Sequence, residues 1–240
     1  MGVDSSYGRR SRHPWWILDT VQKHPLSKVH SSGQAGWVKI DLLRELPGYR
    51  AAVGRFDVLT VPARRYLMVD GHGDPNTSAE YREALTSLYP VAYALKFLSR
   101  NELDRDYTVM PLEGLWWADD PASFTTRRDK SRWNWTLMIL VPDWLTEAHV
   151  AEASARAAAK AGRDISRVRS DVLVEGLCVQ TLHIGPYDEE GTVLRQLHER
   201  EIPSRGYVLT GVHHEIYLSD ARRTAPERLR TILRQRVAVA

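Results

Sequence analysis

One order of elements occurs twice along this 240-residue chain, and a duplication constrains the fold more than any single motif does. In the first half, Val58 to Asp70 reads as a strand interrupted at Pro62, ending in the turn cluster Gly71-His72-Gly73-Asp74-Pro75. Ser78 is placed as a helix cap, with Tyr81, Leu85, Leu88, Val91, Ala92, Leu95 and Leu98 recurring on one face. Tyr107 to Ala118, broken near Pro111, and Trp133 to Val141, ended by Pro142, follow as strands. In the second half, Thr146 opens an alanine-rich helix over 147–161 that Gly162 stops. Gly176 to Ile184 alternates as a strand and ends at Gly185-Pro186-Tyr187. A helix carrying Val193, Leu194, Leu197 and Ile202 comes next, then a strand over 211–218, then a short helix running into a strand over 228–237. Arg65 to Asp74, a helix and a strand with Glu113 thus match Leu177 to Tyr187, a helix and a strand with Glu215. These observations predict an α+β fold in two halves, about 55–142 and 143–240, each strand–turn–helix–strand, with two sheets or half-sheets related by a pseudo-two-fold axis. The interface between them is the expected ligand groove.

Charge and composition narrow the function. The net charge of +3 lies in residues 1–37, which hold five Lys/Arg and two Asp; the rest of the chain is balanced. A nucleic-acid-binding domain carries its basic excess on the folded part, so no nucleic-acid partner is expected. Residues 1–37 show no helical or strand period, and Trp15-Trp16-Ile17-Leu18 is too short for a signal-peptide core. They are read as a disordered or accessory extension, with one ligand-binding domain over 38–240. The longest aliphatic run, Leu137 to Val141, is far below the ~20 residues of a membrane helix. The single cysteine, Cys178, rules out an intrachain disulfide and fits a reducing, cytoplasmic setting.

The candidate chemistry lies on two strands. Between Val212 and Leu218, period two puts Val212, His214, Ile216 and Leu218 on one face, expected to pack on helices. His213, Glu215 and Tyr217 share the other, with Glu215 and Tyr217 about 6–7 Å apart at Cβ. A base and a hydroxyl donor at that spacing can hold a small molecule between them. Glu113 lies among apolar and aromatic neighbours, where a carboxylate is costly unless paired; such a site suits general acid or base work. Trp116, Trp117, Trp133, Trp135 and Trp144 cluster within 29 positions, and large flat side chains with a polar edge suit a pocket for planar ligands. Each feature has a plainer reading: a solvated strand face, a capped glutamate, a tryptophan-rich core. His213 and His214 point to opposite faces and cannot share a metal; His72, His183 and His213 could meet in space, though no spacing requires it. Neither a Gly-x-Ser-x-Gly elbow nor a phosphate loop occurs, so no metal site, cofactor or covalent nucleophile is expected.

Six blocks in order resemble the GyrI-like small-molecule-binding superfamily and, within it, the stand-alone branch of cyclopropanoid cyclopropyl hydrolases. They are Gly71 to Ser78, Tyr89 to Phe97, Met110 to Trp117, Glu175 to Gln180, His183 to Tyr187, and His213 to Pro226. The resemblance covers about 38–240. It implies two tandem strand–helix–strand–strand modules in a pseudo-two-fold array, with antiparallel sheets and a groove between them that binds bulky, planar aromatic and often cationic compounds against a buried glutamate. In the hydrolase branch, water opens the cyclopropane ring of DNA-alkylating antibiotics of the yatakemycin type. Carried onto this chain, Glu215 is the groove glutamate and base, Tyr187 and Tyr217 are candidate donors to the developing phenolate, and Glu113 is the second candidate base. Trp116, Trp117, Trp135, Met138, His183 and His213 complete the expected ligand contacts. The alternatives are a non-catalytic multidrug-binding or sensor module and a gyrase-inhibitor-like role with a protein partner.

Overall fold

The strand signals condense into one open antiparallel sheet. The computed structural model describes residues 39–120, 129–162 and 165–240; the extension read over 1–37 lies outside them. The main strands are β2 (Asp57–Val61), β3 (Arg64–His72), β5 (Leu112–Trp117), β6 (Asn134–Leu140), β7 (Arg169–Leu173), β8 (Gly176–Ile184), β9 (Tyr207–Tyr217) and β10 (Arg230–Val239). Their spatial order is β2-β8-β10-β9-β5-β6-β3-β7, antiparallel throughout. Two-residue strands β1 (Lys39–Ile40) and β4 (Asp106–Tyr107) form a separate parallel pair. Helix α1 (Leu42–Glu45) lies near the start. The 24-residue α2 (Ala79–Glu102) is capped by the Ser78 side chain and continues past Pro90. Helix α3 (Glu147–Ala161) runs from a Thr146 cap to left-handed Gly162, and α4 (Gly191–Arg195) leads into a π-helical turn, Gln196–Glu201. The expected uniform helix here is therefore split. The expected C-terminal helix is one 3-10 turn, Pro226–Arg228, and β10 takes the rest through its ladders to β8 and β9.

The sheet order reads the same from both ends when β2, β3, β5 and β6 are matched with β7, β8, β9 and β10. The pseudo-two-fold axis passes between β5 and β9. Each half lends its first strand to the other's edge: β2 pairs with β8, and β7 with β3. The register corrects one equivalence. Gly114 lies opposite Glu215, and Glu113 opposite Ile216. Because side chains alternate, Glu113 and Glu215 point to opposite faces and are not counterparts.

One face of the sheet carries the helices. Leu67, Val69, Leu137 and Ile139 pack in the core with Ala84, Leu88, Val91 and Leu95 of α2. At the other end, Val179 and Val237 pack with Leu197 and Ile202. Trp135 belongs to the first of these cores. Its indole covers Gly71 on the neighbouring strand, where an added Cβ would fall 2.0 Å from the ring, and its Nε1 donates to the Gly73 carbonyl at 3.2 Å.

The opposite face is covered by the segment around α1 and Pro47–Tyr49, not by helices α2–α4, and it holds a buried polar chain. Glu113 accepts from the Tyr49 hydroxyl and from His214 Nε2 at 2.9 Å. His214 Nδ1 donates to Glu175 at 2.8 Å, and Arg234 reaches Glu175 at 2.7 Å and Gln180 at 3.0 Å. The Gly48 and Arg50 carbonyls accept from Arg234 and Gln180, which ties the N-terminal segment to four strands. The face of His214 and Ile216, expected against helices, therefore meets this polar chain. Burial opposes charge on His214, but Glu175 and the hydrogen bonds His214 donates to both carboxylates hold its pKa above the ordinary value. Burial also opposes charge on Glu175, yet His214 and Arg234 bring its pKa down to about 2.

Two predictions follow from this packing. Gly71→Ala should destabilise the protein by about 1–3 kcal/mol in urea unfolding, since Trp135 must move to admit the methyl group. Unfolding free energy should also peak between about pH 4.3 and 6.5. It should fall on acidification as Glu175, whose native pKa is depressed, takes up a proton. It should fall on the alkaline side as His214, whose native pKa is raised, loses one. A flat profile, or an acid limb unchanged in Glu175→Gln, would remove the chain from that role.

Candidate functional site

The central strip of the helical face, between the two apolar cores, is where polar side chains collect. Glu215 projects there from β9, its side chain 15% exposed. Its Oε2 accepts a hydrogen bond from the Tyr217 hydroxyl at 2.8 Å, and that hydroxyl accepts one from Trp116 Nε1 at 3.0 Å. Gly114 permits this arrangement. A Cβ there would lie 2.7 Å from Trp116 Nε1 and 3.2 Å from the Tyr217 hydroxyl. Near the pseudo-axis one half thus supplies a carboxylate and the other the room for it.

Aromatic rings enclose the chain. Tyr81, from the first turn of α2, stacks on Trp116 with centroids 6.3 Å apart. Trp133 meets Trp116 edge-on at 5.9 Å, and Tyr187 meets Tyr217 edge-on at 5.5 Å. Lys130 lies over the Trp133 ring at 5.7 Å and bonds Asp188 at 2.7 Å, joining the approach to β6 with the turn after β8. Burial, reinforced by Glu215, raises the pKa of Tyr217 well above the ordinary phenol. Tyr187 is raised by burial and by Glu190 and Glu215, and Tyr89 is pushed up to about 12, chiefly by burial. These phenols stay protonated at neutral pH and act as donors. The site therefore offers an acceptor carboxylate, phenol donors and flat ring faces in one space.

The expected residues divide by face. Glu215, Tyr217, Tyr187, Trp116 and His213 come together, and His213 Nε2 lies 3.5 Å from Glu215 Oε1. Glu113 does not join them. It is fully buried on the other face and bonded to Tyr49 and His214, so it is unavailable as a base in the groove. Met138, paired with Glu113, and Trp117, four residues further along β5, also face away. Trp135 has the right face but is fully buried as the cover of Gly71. His183 is on the groove face, where its Nε2 meets the Pro186 carbonyl at 3.2 Å and braces the turn presenting Tyr187. Among the described residues no group of three His, Cys, Asp or Glu is arranged to hold a metal, so His72, His183 and His213 do not converge on one. Tyr81, Gly114 and His198 were not singled out as site residues. Tyr81 reads as one more apolar position of α2, and no sequence pattern marks Gly114 or His198. Only the register and the helix docking reveal them.

Comparison with known proteins identifies the family. The GyrI-like small molecule binding domain model matches residues 54–237. A conserved, uncharacterized Listeria innocua protein is 38% identical, covering 83% of this chain and all of its own, with a TM-score of 0.75. Two Listeria innocua structures described as hydrolases are 36% and 37% identical. They cover 84% and 83% of this chain and all of their own, with TM-scores of 0.74 and 0.72. No curated protein sequence matches the chain. Among the described residues, no helix is long and apolar enough to cross a membrane. With more than half its length matched, and with a carboxylate set among aromatic rings between two symmetry-related half-sheets, the chain belongs to the GyrI-like small-molecule-binding family.

Proposed function

We propose that this protein is a cytoplasmic, cofactor-independent hydrolase that detoxifies planar, DNA-alkylating cyclopropanoid antibiotics by opening their cyclopropane ring with water. The observation that carries the reading is the buried hydrogen-bonded chain Trp116–Tyr217–Glu215 at the floor of an aromatic groove. It rests also on the six sequence blocks above and on the two Listeria hydrolases as relatives. In the reaction, the water oxygen bonds to the ring methylene while a cyclopropane C–C bond breaks. That electron pair enters the conjugated dienone and leaves a phenolate. Glu215 takes the water's proton on Oε1, since Oε2 is held by Tyr217. Tyr187, across the ring cluster, donates to the dienone oxygen as charge develops there. The phenolate then takes up a proton and Glu215 returns its own to solvent, which restores the starting charge. Trp133, half-buried and edge-on to Trp116, supplies stacking surface for the drug.

A second reading, a multidrug-binding module without turnover, draws on the same carboxylate as counter-charge for a planar cation among aromatic rings. The two separate on turnover. Wild-type protein should abolish the dienone absorbance of a yatakemycin-type compound, and Glu215→Gln should slow this at least ~100-fold while still binding it. Unchanged turnover in that variant removes Glu215 as base, whereas wild-type binding without turnover favours the second reading. Gly114→Ala should lower kcat by roughly 10–100-fold, because the methyl displaces Trp116 and Tyr217 from Glu215. Wild-type kinetics in that variant would show that the chain tolerates displacement.

A further inference from the structure

Next to Glu215 stands a histidine whose bonding is incomplete. His213 projects from β9 onto the same face, two residues before Glu215, with a side chain only 13% exposed. Among the described residues, neither of its ring nitrogens finds a hydrogen-bond partner. Burying a polar group without a partner is unfavourable, and such a group in a native fold calls for an explanation, a catalytic role or a bound water among them. Its Nε2 lies 3.5 Å from Glu215 Oε1, the carboxylate oxygen that Tyr217 leaves open. That separation is long for a direct bond, but one oxygen atom can sit about 2.8 Å from both atoms. Behind His213, the His198 ring packs edge-on with centroids 5.9 Å apart. His198 comes from the π-helical turn after α4, a widened turn that recurs at functional sites. Burial and His213 push its pKa down to about 4, so it stays neutral and does not compete for the Glu215 charge.

We propose that His213 and Glu215 together hold the attacking water, which makes His213 a second catalytic residue; this rests on the hydrolase reading above. The water donates one hydrogen to Glu215 Oε1 and the other to His213 Nε2. Both donors being engaged, its lone pairs turn toward the ligand. In the step itself the O–C bond forms, the cyclopropane C–C pair moves to the dienone oxygen, and the proton facing Glu215 transfers to it. The hydrogen facing His213 stays on the new hydroxyl.

The test is steady-state turnover of a yatakemycin-type compound by wild type, His213→Ala and His213→Gln, each with its thermal midpoint recorded. For His213→Ala, kcat should fall ~100-fold with KM within twofold of wild type, and added imidazole should restore at least tenfold. His213→Gln, which keeps an acceptor, should fall between wild type and His213→Ala. Turnover within threefold of wild type in both variants overturns the proposal. So does a parallel loss of kcat and apparent affinity without imidazole rescue, which would make His213 a ligand contact or a packing residue. A wild type that binds the compound without turnover sinks the hydrolase reading itself, and the water site with it, and is told apart by needing no variant.

Discussion

Strand β9 divides its ionisable side chains between the two faces of the sheet, and the rest of the molecule is arranged around that division. His214 turns to one side and bonds two carboxylates in a fully buried chain. His213, Glu215 and Tyr217 turn to the other. A strand flanked by partners on both sides cannot slip its register without exchanging these sets. The buried chain makes such a slip expensive, because half-satisfied charges in a low-dielectric interior are far worse than complete pairs. Two carboxylates, Glu113 and Glu175, face two cations, His214 and Arg234, so the charges balance while His214 is protonated. The segment that closes this face contributes a tyrosine hydroxyl and two backbone carbonyls to the same chain. We regard the chain as the brace of the strand that carries the groove carboxylate.

The groove is a product of symmetry and of one departure from it. Two half-sheets related by a pseudo-two-fold axis each carry helical segments on the same face, and the half-buried Glu215, Tyr217 and Tyr187 lie between the two apolar cores. A perfect duplicate would place matching side chains on both sides of the axis. Here the residue opposite Glu215 is Gly114, and the space it leaves is filled by the Trp116 indole edge and the Tyr217 hydroxyl. The carboxylate is thus hydrogen-bonded from one side only. One oxygen is held by Tyr217 and the other faces the groove and His213, a division of labour that suits a general base.

Tryptophan does two different jobs in this protein. Trp135 is a packing residue: its ring replaces the side chain that Gly71 lacks, a known remedy for glycine in a sheet. Trp116, one strand away and on the same face, spends its indole N–H on the Tyr217 hydroxyl and presents its ring to Tyr81 and Trp133. Composition does not separate the two. Their difference comes from what stands beside each: Trp135 lies against Gly71 of β3, and Trp116 against His213 of β9 with the Tyr217 hydroxyl at its N–H.

How much of this could be read from sequence follows from the range of the forces concerned. Caps and stops are local, so Ser78, Thr146 and Gly162 mark their helices in the sequence itself. The duplicated order of elements and the alternation along 212–218, which separates His213, Glu215 and Tyr217 from His214, are also properties of the chain alone. The pairing of strands is not. Exchange of β2 and β7 between the halves, and the register that opposes Gly114 rather than Glu113 to Glu215, depend on contacts between segments about a hundred residues apart. Tertiary packing over shorter separations decides the turn at 196–201, which sets His198 against His213, and the C-terminal segment, which reads as a short helix running into a strand but joins the sheet almost throughout. The sequence by itself determined which side chains could share a strand face. Only the tertiary structure decided which faces meet, because a side chain's partner across a sheet is set by register and docking, and neither is written in local spacing.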